Sequence, residues 1–182
     1  MSALPCSAPV GYSPRDNALI RRALKLIEQK HLDKGACLNS PNVVRDYLRL
    51  RFAGLEREEL HALYLDSGLR LIAAEVASVG TYETTTIYPR DLLIAAARHG
   101  AVNVIIAHNH PGGSPDPSEA DLILTRRVES VLATAEFKLL DHFVITATSA
   151  TSIREHTAAL QTLERHTPKA FRSRPRHQHE AA

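Results

Sequence analysis

From Ala101 to Asp121 the chain reads AVNVIIAHNHPGGSPDPSEAD. The stretch begins with a short apolar run that lies between a glycine and a loop rich in proline and glycine. Such a run is typical of a β-strand buried on both faces. The loop leads to Ser118, a residue type that favours a helix N-cap. We therefore predict a strand over Ala101–Ala107 and a helix from Glu119 to about Ala135.

Two histidines, His108 and His110, stand at the end of this predicted strand. Alternate residues of a strand point to the same side, so both imidazoles can converge on one point. Asp121 lies in the first turn of the next helix, where the helix dipole favours a carboxylate. Three nitrogen and oxygen ligands with a fourth position open to water are the arrangement of a catalytic zinc site. The residues thus indicate a metal site.

The same residues also have a purely structural interpretation. A buried histidine is more often hydrogen-bonded in a core than bound to a metal, and Asp121 can serve only as a helix-start charge. Ser118 with Asp121 three residues later resembles a capping box in which Asp replaces Glu. A capping role for Ser118 is compatible with a role in a site, so the residues alone leave both interpretations open.

The flanking sequence predicts a single α/β domain in which helices cover both sides of a mixed β-sheet. Helix starts, apolar periodicity and turn residues define the expected elements. The expected helices are one from Pro14 to before Gly35, one from Pro41 to near Gly54, and one from Pro89 to about His99, and the expected strands are Leu60–Leu65, Leu69–Val79, Thr84–Tyr88 and Leu139–Thr146.

Length and composition set the domain organisation. The 182 residues, 44% of them hydrophobic, suffice for one compact domain with modest extensions. We expect a helical extension over residues 1–38, the metal-binding domain over 39–163 and a basic, disordered tail over 164–182. The net charge of +2 gives no general signal for polyanion binding.

The compartment is expected to be the cytoplasm. Only two cysteines occur, Cys6 and Cys37, and their spacing does not suggest a disulfide framework, which favours a reducing environment. No apolar run approaches the ~20 residues that a membrane-spanning helix needs. The first ten residues lack the basic and then apolar pattern of a secretory signal.

The order of the polar residues resembles a known family signature. His108-x-His110, seven further residues and Ser118-x-x-Asp121 resemble the JAMM signature of the JAB/MPN metallopeptidases. The surrounding sequence motifs resemble those of the bacterial RadC family in particular, over roughly Ser40 to Glu155. These motifs are Gly80-Thr81, Tyr88-Pro89-Arg90, Ala107-His108-Asn109-His110-Pro111, Pro117-Ser118-x-x-Asp121, Thr125 and Leu140-Asp141-His142.

This resemblance implies a cytidine-deaminase-like JAB/MPN fold with one zinc ion on His108, His110 and Asp121. It implies a zinc-dependent hydrolase of the metallopeptidase type, in which zinc-activated water attacks the amide carbonyl of a protein or peptide substrate. Ser118 would polarise that carbonyl or stabilise the oxyanion. Full-length RadC proteins also have an N-terminal helix-hairpin-helix region, and we expect this chain to be a short form that lacks it.

The resemblance further implies a glutamate proton shuttle on the first strand, which would be Glu58. Glu59 stays an alternative, because both residues precede Leu60–Leu65 and adjacent strand residues point to opposite sides. Either glutamate could instead be a solvated charge at the start of the strand. Glu75 and Glu83, on later strands, are weaker candidates.

Two other functions compete with hydrolysis. One is a RadC-like accessory role in DNA repair or nucleic-acid processing, which the basic tail supports weakly. The other is a non-catalytic MPN scaffold for protein interaction, against which the complete set of His, His, Ser and Asp argues. His142, beside Asp141, is interpreted either as orienting a metal ligand or as packing within its strand.

Overall fold

The computed structural model describes residues 13–34, 37–80 and 88–166. Within these residues helices and strands follow one another in the order that the sequence predicts as far as the fourth strand. The elements are α1 Pro14–Lys34, α2 Pro41–Arg51, β1 Glu59–Leu65, β2 Leu71–Val79, α3 Pro89–His99, β3 Asn103–Asn109, α4 Glu119–Ala133, β4 Lys138–Ile145, β5 Ala150–Ser152 and α5 Ile153–His166.

The strands form one five-stranded sheet in the order β2-β1-β3-β4-β5. β1 runs antiparallel to both β2 and β3, while β3 and β4 are parallel and are connected through α4. β5 is antiparallel to β4. The prediction of a mixed sheet flanked by helices is therefore confirmed.

Apolar side chains cover both sides of the sheet and form two separate cores. On the side that we call the α2 face, strand residues pack against α2, and on the α4 face they pack against α3 and α4. The α2 face includes Val44, Leu48, Leu63, Leu65, Ile105 and Phe143. The α4 face includes Ala62, Tyr64, Leu92, Ala96, Val104, Ile106, Val128 and Leu132. Consecutive residues of β1 and β3 alternate between the two faces, as strand geometry requires.

β3 begins and ends two residues later than predicted, at Asn103 and Asn109. The cause lies in the end of α3, where Gly100 adopts a left-handed conformation with φ 62° and Ala101 N–H still bonds to the carbonyl of Ala96. The chain uses these residues to leave the helix before it pairs as a strand. All seven residues of β3 are buried, as expected for a strand covered on both faces.

The other differences lie at turns and at the end of the domain. β2 begins at Leu71 because Leu69, with φ 61°, belongs to the preceding turn. β5 and α5 were not predicted, although Ser152 and Glu155 have the spacing of a capping box and the Ser152 hydroxyl accepts the Glu155 N–H at 3.0 Å.

The predicted strand Thr84–Tyr88 lies outside the described residues, apart from Tyr88, which is the N-cap of α3. Of the predicted tail 164–182, residues 164–166 belong to the end of α5, and the others lie outside the described residues. In the described part of the chain, no helix has the length and apolar character that crossing a membrane requires.

Candidate metal centre

The end of β3 and the start of α4 bring the predicted ligands together. His108 lies within β3, paired with Leu60 on one side and Val144 on the other, and is almost completely buried. His110 follows the strand and stays attached to β4, because its N–H bonds to the Ile145 carbonyl at 2.9 Å. Asp121 is in the first turn of α4 and faces both histidines.

The distances between these three side chains are those of a compact donor cluster. The Nε2 atoms of His108 and His110 are 2.9 Å apart. Asp121 Oδ1 lies 3.1 Å from His108 Nε2, and Asp121 Oδ2 lies 3.6 Å from His110 Nε2. One ligand atom from each residue lies within 4.8 Å of the others. Two imidazole nitrogens and one carboxylate oxygen arranged in this way fit a divalent cation of the zinc type.

Electrostatic interactions keep the Asp121 carboxylate ionised. Burial alone would raise the pKa of Asp121, but the contacts with His108, His110 and Ser118 outweigh it and lower this pKa well below its usual range. The hydrogen bond with Asp121 in turn raises the pKa of His110, and the charge of Glu58 acts in the same direction. The cluster therefore presents an anionic oxygen to any bound cation.

Ser118 is the N-cap of α4 and forms the complete capping box. Its hydroxyl accepts the Asp121 N–H at 3.2 Å and donates to Asp121 Oδ2 at 2.6 Å. The Ser118 N–H also bonds to the same carboxylate oxygen, at 2.7 Å. The helix N-cap and the placement of Asp121, the third candidate ligand, thus depend on the same pair of residues.

Glu59 is the first residue of β1, and Glu58 directly precedes the strand. The Glu59 carboxylate bonds to His61 Nε2 at 2.8 Å, and His61 stacks on Phe52 on the α2 face. Side chains alternate along a strand, so continuing β1 by one residue puts Glu58 on the same side as Leu60. Leu60 is the residue paired with His108. Continuing this antiparallel register by two residues sets Glu58 opposite His110. Glu58 is exposed to solvent and acts on the His110 pKa through its charge.

Asn109 holds the backbone on both sides of Glu58. Its Oδ1 accepts the Glu59 N–H at 2.8 Å, and its Nδ2 donates to the Arg57 carbonyl at 2.8 Å. The Glu58 carbonyl accepts the Gly80 N–H at 2.8 Å. The position of this exposed glutamate is therefore set by a buried amide between the two histidines. Glu75, by contrast, pairs with Arg98 and His99, and Glu83 lies outside the described residues.

Two further polar side chains lie behind His108. His142 is completely buried on β4, and its Nε2 is 2.8 Å from His108 Nδ1. Thr125 Oγ1 lies 2.7 Å from His142 Nδ1. Burial lowers the pKa of His142 to about 3, so this ring is neutral near pH 7. Thr125 was not predicted to have a role, although its spacing of one helical turn from Asp121 was a usable signal.

Comparison with known proteins identifies relatives over most of the chain. The sequence-family model of the RadC-like JAB domain matches residues 38–158. The UPF0758 protein YkfG of Escherichia coli (strain K12) is 39% identical over 148 residues, which are 81% of this chain and 94% of the relative. The UPF0758 protein YeeS of the same organism is 37% identical over 144 residues, 79% of this chain and 97% of the relative. A UPF0758 protein of Polaromonas sp. (strain JS666 / ATCC BAA-500) is 43% identical over 75% of this chain, which covers 59% of that longer relative.

Proposed function

The chain belongs to the RadC-like JAB domain family, and we propose that it is a zinc-dependent hydrolase of the JAMM metallopeptidase type that cleaves an amide bond of a protein or peptide. The observation that carries this proposal is the convergence of His108, His110 and Asp121 within 4.8 Å at the end of a buried strand. These three residues would hold the metal. A zinc ion there would supply a Lewis acid and lower the pKa of a water molecule toward about 7.

Glu58 is the proton shuttle in this proposal. A glutamate in this role accepts a proton from the attacking water and returns it to the leaving amine, and it must do so without binding the metal. Three features support Glu58 over Glu59: its alternation with Leu60, its effect on the His110 pKa, and the hold of Asn109 on the adjacent peptide groups.

Ser118 would donate its hydroxyl proton to the substrate carbonyl as negative charge develops on that oxygen. The hydroxyl has a single proton, which Asp121 Oδ2 accepts at 2.6 Å. A substrate carbonyl therefore has to replace Asp121 as the acceptor. The capping bond, in which the Ser118 oxygen accepts the Asp121 N–H, can persist throughout.

The Ser118→Ala variant separates these two roles. Loss of the cap is expected to lower the free energy of unfolding by about 1 kcal/mol, while loss of the donor is expected to lower hydrolysis by roughly 10²–10³-fold. Ser40→Ala is the matched control, because Ser40 caps α2 by accepting the Val43 N–H. Denaturant unfolding and a hydrolysis assay measure the two effects. A Ser118→Ala variant that loses stability but retains full hydrolysis would contradict the proposed role.

The proposed reaction is tested with a pool of peptides derived from a bacterial proteome. Zinc-loaded protein is incubated with the pool, and new amino termini are detected by mass spectrometry. We expect cleavage by the wild type that is lost after chelation of the metal and in the Asp121→Ala variant. Absence of cleavage by zinc-loaded protein, or cleavage that persists in Asp121→Ala, would count against the proposal.

A second candidate function is contact with a nucleic acid. It is favoured by an open groove of about 500 Å³ between the start of α3 and the middle of α4. Arg90, Arg126 and Arg127 line this groove together with Ser130, and all three guanidinium groups are on exposed residues. Arginine side chains in such a groove suit phosphate groups, whose contacts supply most of the affinity that does not depend on sequence.

The double variant Arg126→Gln/Arg127→Gln tests this second candidate. Each lost phosphate contact is expected to reduce the slope of log affinity against log salt by about 0.9 for duplex DNA. Arg21→Gln/Arg22→Gln is the control, since it removes an adjacent pair of exposed arginines from α1. Fluorescence anisotropy with a labelled duplex at several salt concentrations measures the slope. Equal slopes for the two double variants would rule out a specific role for the groove.

A further inference from the structure

A chain of hydrogen bonds connects His108 to the backbone of Asp121 through two residues that do not belong to the donor cluster. His108 Nδ1 lies 2.8 Å from His142 Nε2. The other nitrogen of His142, Nδ1, lies 2.7 Å from Thr125 Oγ1. The Thr125 hydroxyl in turn donates to the Asp121 carbonyl oxygen at 2.6 Å. This chain of hydrogen bonds thus joins β3, β4 and α4, the three elements that surround the donor cluster.

The end of this chain determines the direction of every hydrogen bond in it. A backbone carbonyl can only accept, so the single hydroxyl proton of Thr125 is used in the bond to Asp121. The Thr125 oxygen then accepts from His142, which must carry its proton on Nδ1. A neutral imidazole with a proton on Nδ1 has a lone pair on Nε2 and accepts there. His108 therefore donates from its own Nδ1.

In neutral His108, the form that binds a metal, this direction places the lone pair on Nε2. Nε2 is the atom that lies 2.9 Å from His110 Nε2 and 3.1 Å from Asp121 Oδ1. A metal-binding histidine needs its lone pair toward the cation, and the hydrogen bond made by its other nitrogen sets which tautomer is present. The tautomer that the chain of bonds imposes on His108 is the one that can bind a metal in this cluster.

We propose that His142 and Thr125 are positioning residues that hold His108 in the metal-binding tautomer and couple it to the turn of α4 that carries Asp121. The proposal rests on the metal site of the proposed function. The position of His142 is fixed by its surroundings. Its backbone N–H donates to Asp141 Oδ1 at 2.8 Å, and its ring is completely buried. Thr125 follows Asp121 by one helical turn, so the same hydroxyl secures two of the three ligands.

The identity of the acceptor behind His108 has a chemical consequence. Metal-bound histidines often donate to a carboxylate, which adds a negative charge and raises the basicity of the ligand. Here the acceptor is a neutral imidazole, and the hydrogen-bond chain ends on a neutral carbonyl. These hydrogen bonds orient His108 without adding charge. The negative charge of the donor cluster therefore comes from Asp121.

The experiment compares zinc affinity, measured by competition with a chromogenic chelator, in the wild type and three variants. Thr125→Val keeps the shape of the side chain but removes the hydroxyl, and it is expected to weaken zinc binding by roughly 10–100-fold. Thr125→Ser restores the hydroxyl and should restore the affinity. Thr157→Val is the matched control, because the half-buried Thr157 makes the same bond to a carbonyl one turn earlier, at 2.8 Å to Ile153, without a histidine.

A second measurement does not depend on any substitution. In zinc-loaded, ¹⁵N-labelled wild type, the imidazole nitrogen shifts should show His108 with its proton on Nδ1 and His142 with its proton on Nδ1. The opposite tautomer at either ring would overturn the proposal, as would a Thr125→Val variant that binds zinc as tightly as the wild type. These results differ from failure of the proposed function, in which the wild type itself would bind no zinc.

Discussion

Protein purified without added metal is expected to carry about one zinc ion per chain, and the Asp121→Ala and His108→Ala variants are expected to carry almost none. Three donor atoms converge within 4.8 Å, and each variant leaves only two of them. Asp121 also contributes the negative charge of the site, because its hydrogen bonds lower its pKa and keep it ionised. Elemental analysis of the purified proteins measures the zinc content directly.

The control for this experiment is Glu119→Ala. Glu119 lies in the same first turn of α4 and has the same favourable position relative to the helix dipole, but it is exposed and does not belong to the donor cluster. We expect this variant to retain its zinc. A wild type with less than about a third of an ion per chain, unchanged by His108→Ala or Asp121→Ala, would contradict the metal site.

The Glu58→Gln variant is expected to retain its zinc and its melting temperature but to lose hydrolysis by roughly 10²–10⁴-fold, the range for removal of a general acid–base group. The amide has nearly the same shape as the carboxylate but cannot accept the proton of the attacking water. Little stability is at risk, because the Glu58 side chain is exposed and its backbone bond to Gly80 does not involve the carboxylate. Zinc analysis, thermal melting and the peptide-pool assay measure the three quantities.

Glu59→Gln is the control for Glu58→Gln, since it makes the same chemical change at the adjacent residue. Its side chain is directed to the α2 face, where a glutamine oxygen can still accept from His61 Nε2. Hydrolysis by this variant should be close to normal. If Glu59→Gln abolishes hydrolysis and Glu58→Gln does not, the assignment of the proton shuttle is wrong, and the zinc measurement stands independently of it.

Local signals in the sequence were sufficient for most of the fold and for the three proposed ligands. The buried apolar strand, the helix start at Ser118 and the spacing of His108 and His110 depend on residues close together in the chain. The chain path between them is short, so a strand end and the following helix start can lie close together. The same reasoning missed β5, because a three-residue strand is too short to show a periodic pattern. It also missed α5, although Ser152 and Glu155 have the spacing of a capping box.

Pairing between distant segments decided what the sequence left open. Alternation along β1 requires Glu58 and Glu59 to point to opposite sides, but it does not state which side faces the histidines. The antiparallel register of β1 with β3 and the packing of His61 against Phe52 support the proposal that Glu58 is the one that faces them.

The sequence by itself thus determined which residues can bind a metal, because His108, His110 and Asp121 are placed by one strand, one loop and one helix start. Only the tertiary structure decided what surrounds them. His142 reaches His108 through the parallel pairing of β4 with β3, and Thr125 reaches His142 because α4 packs across β4. The physical reason is that strand register and helix packing depend on the shape of the whole core, to which residues far apart in the chain contribute together.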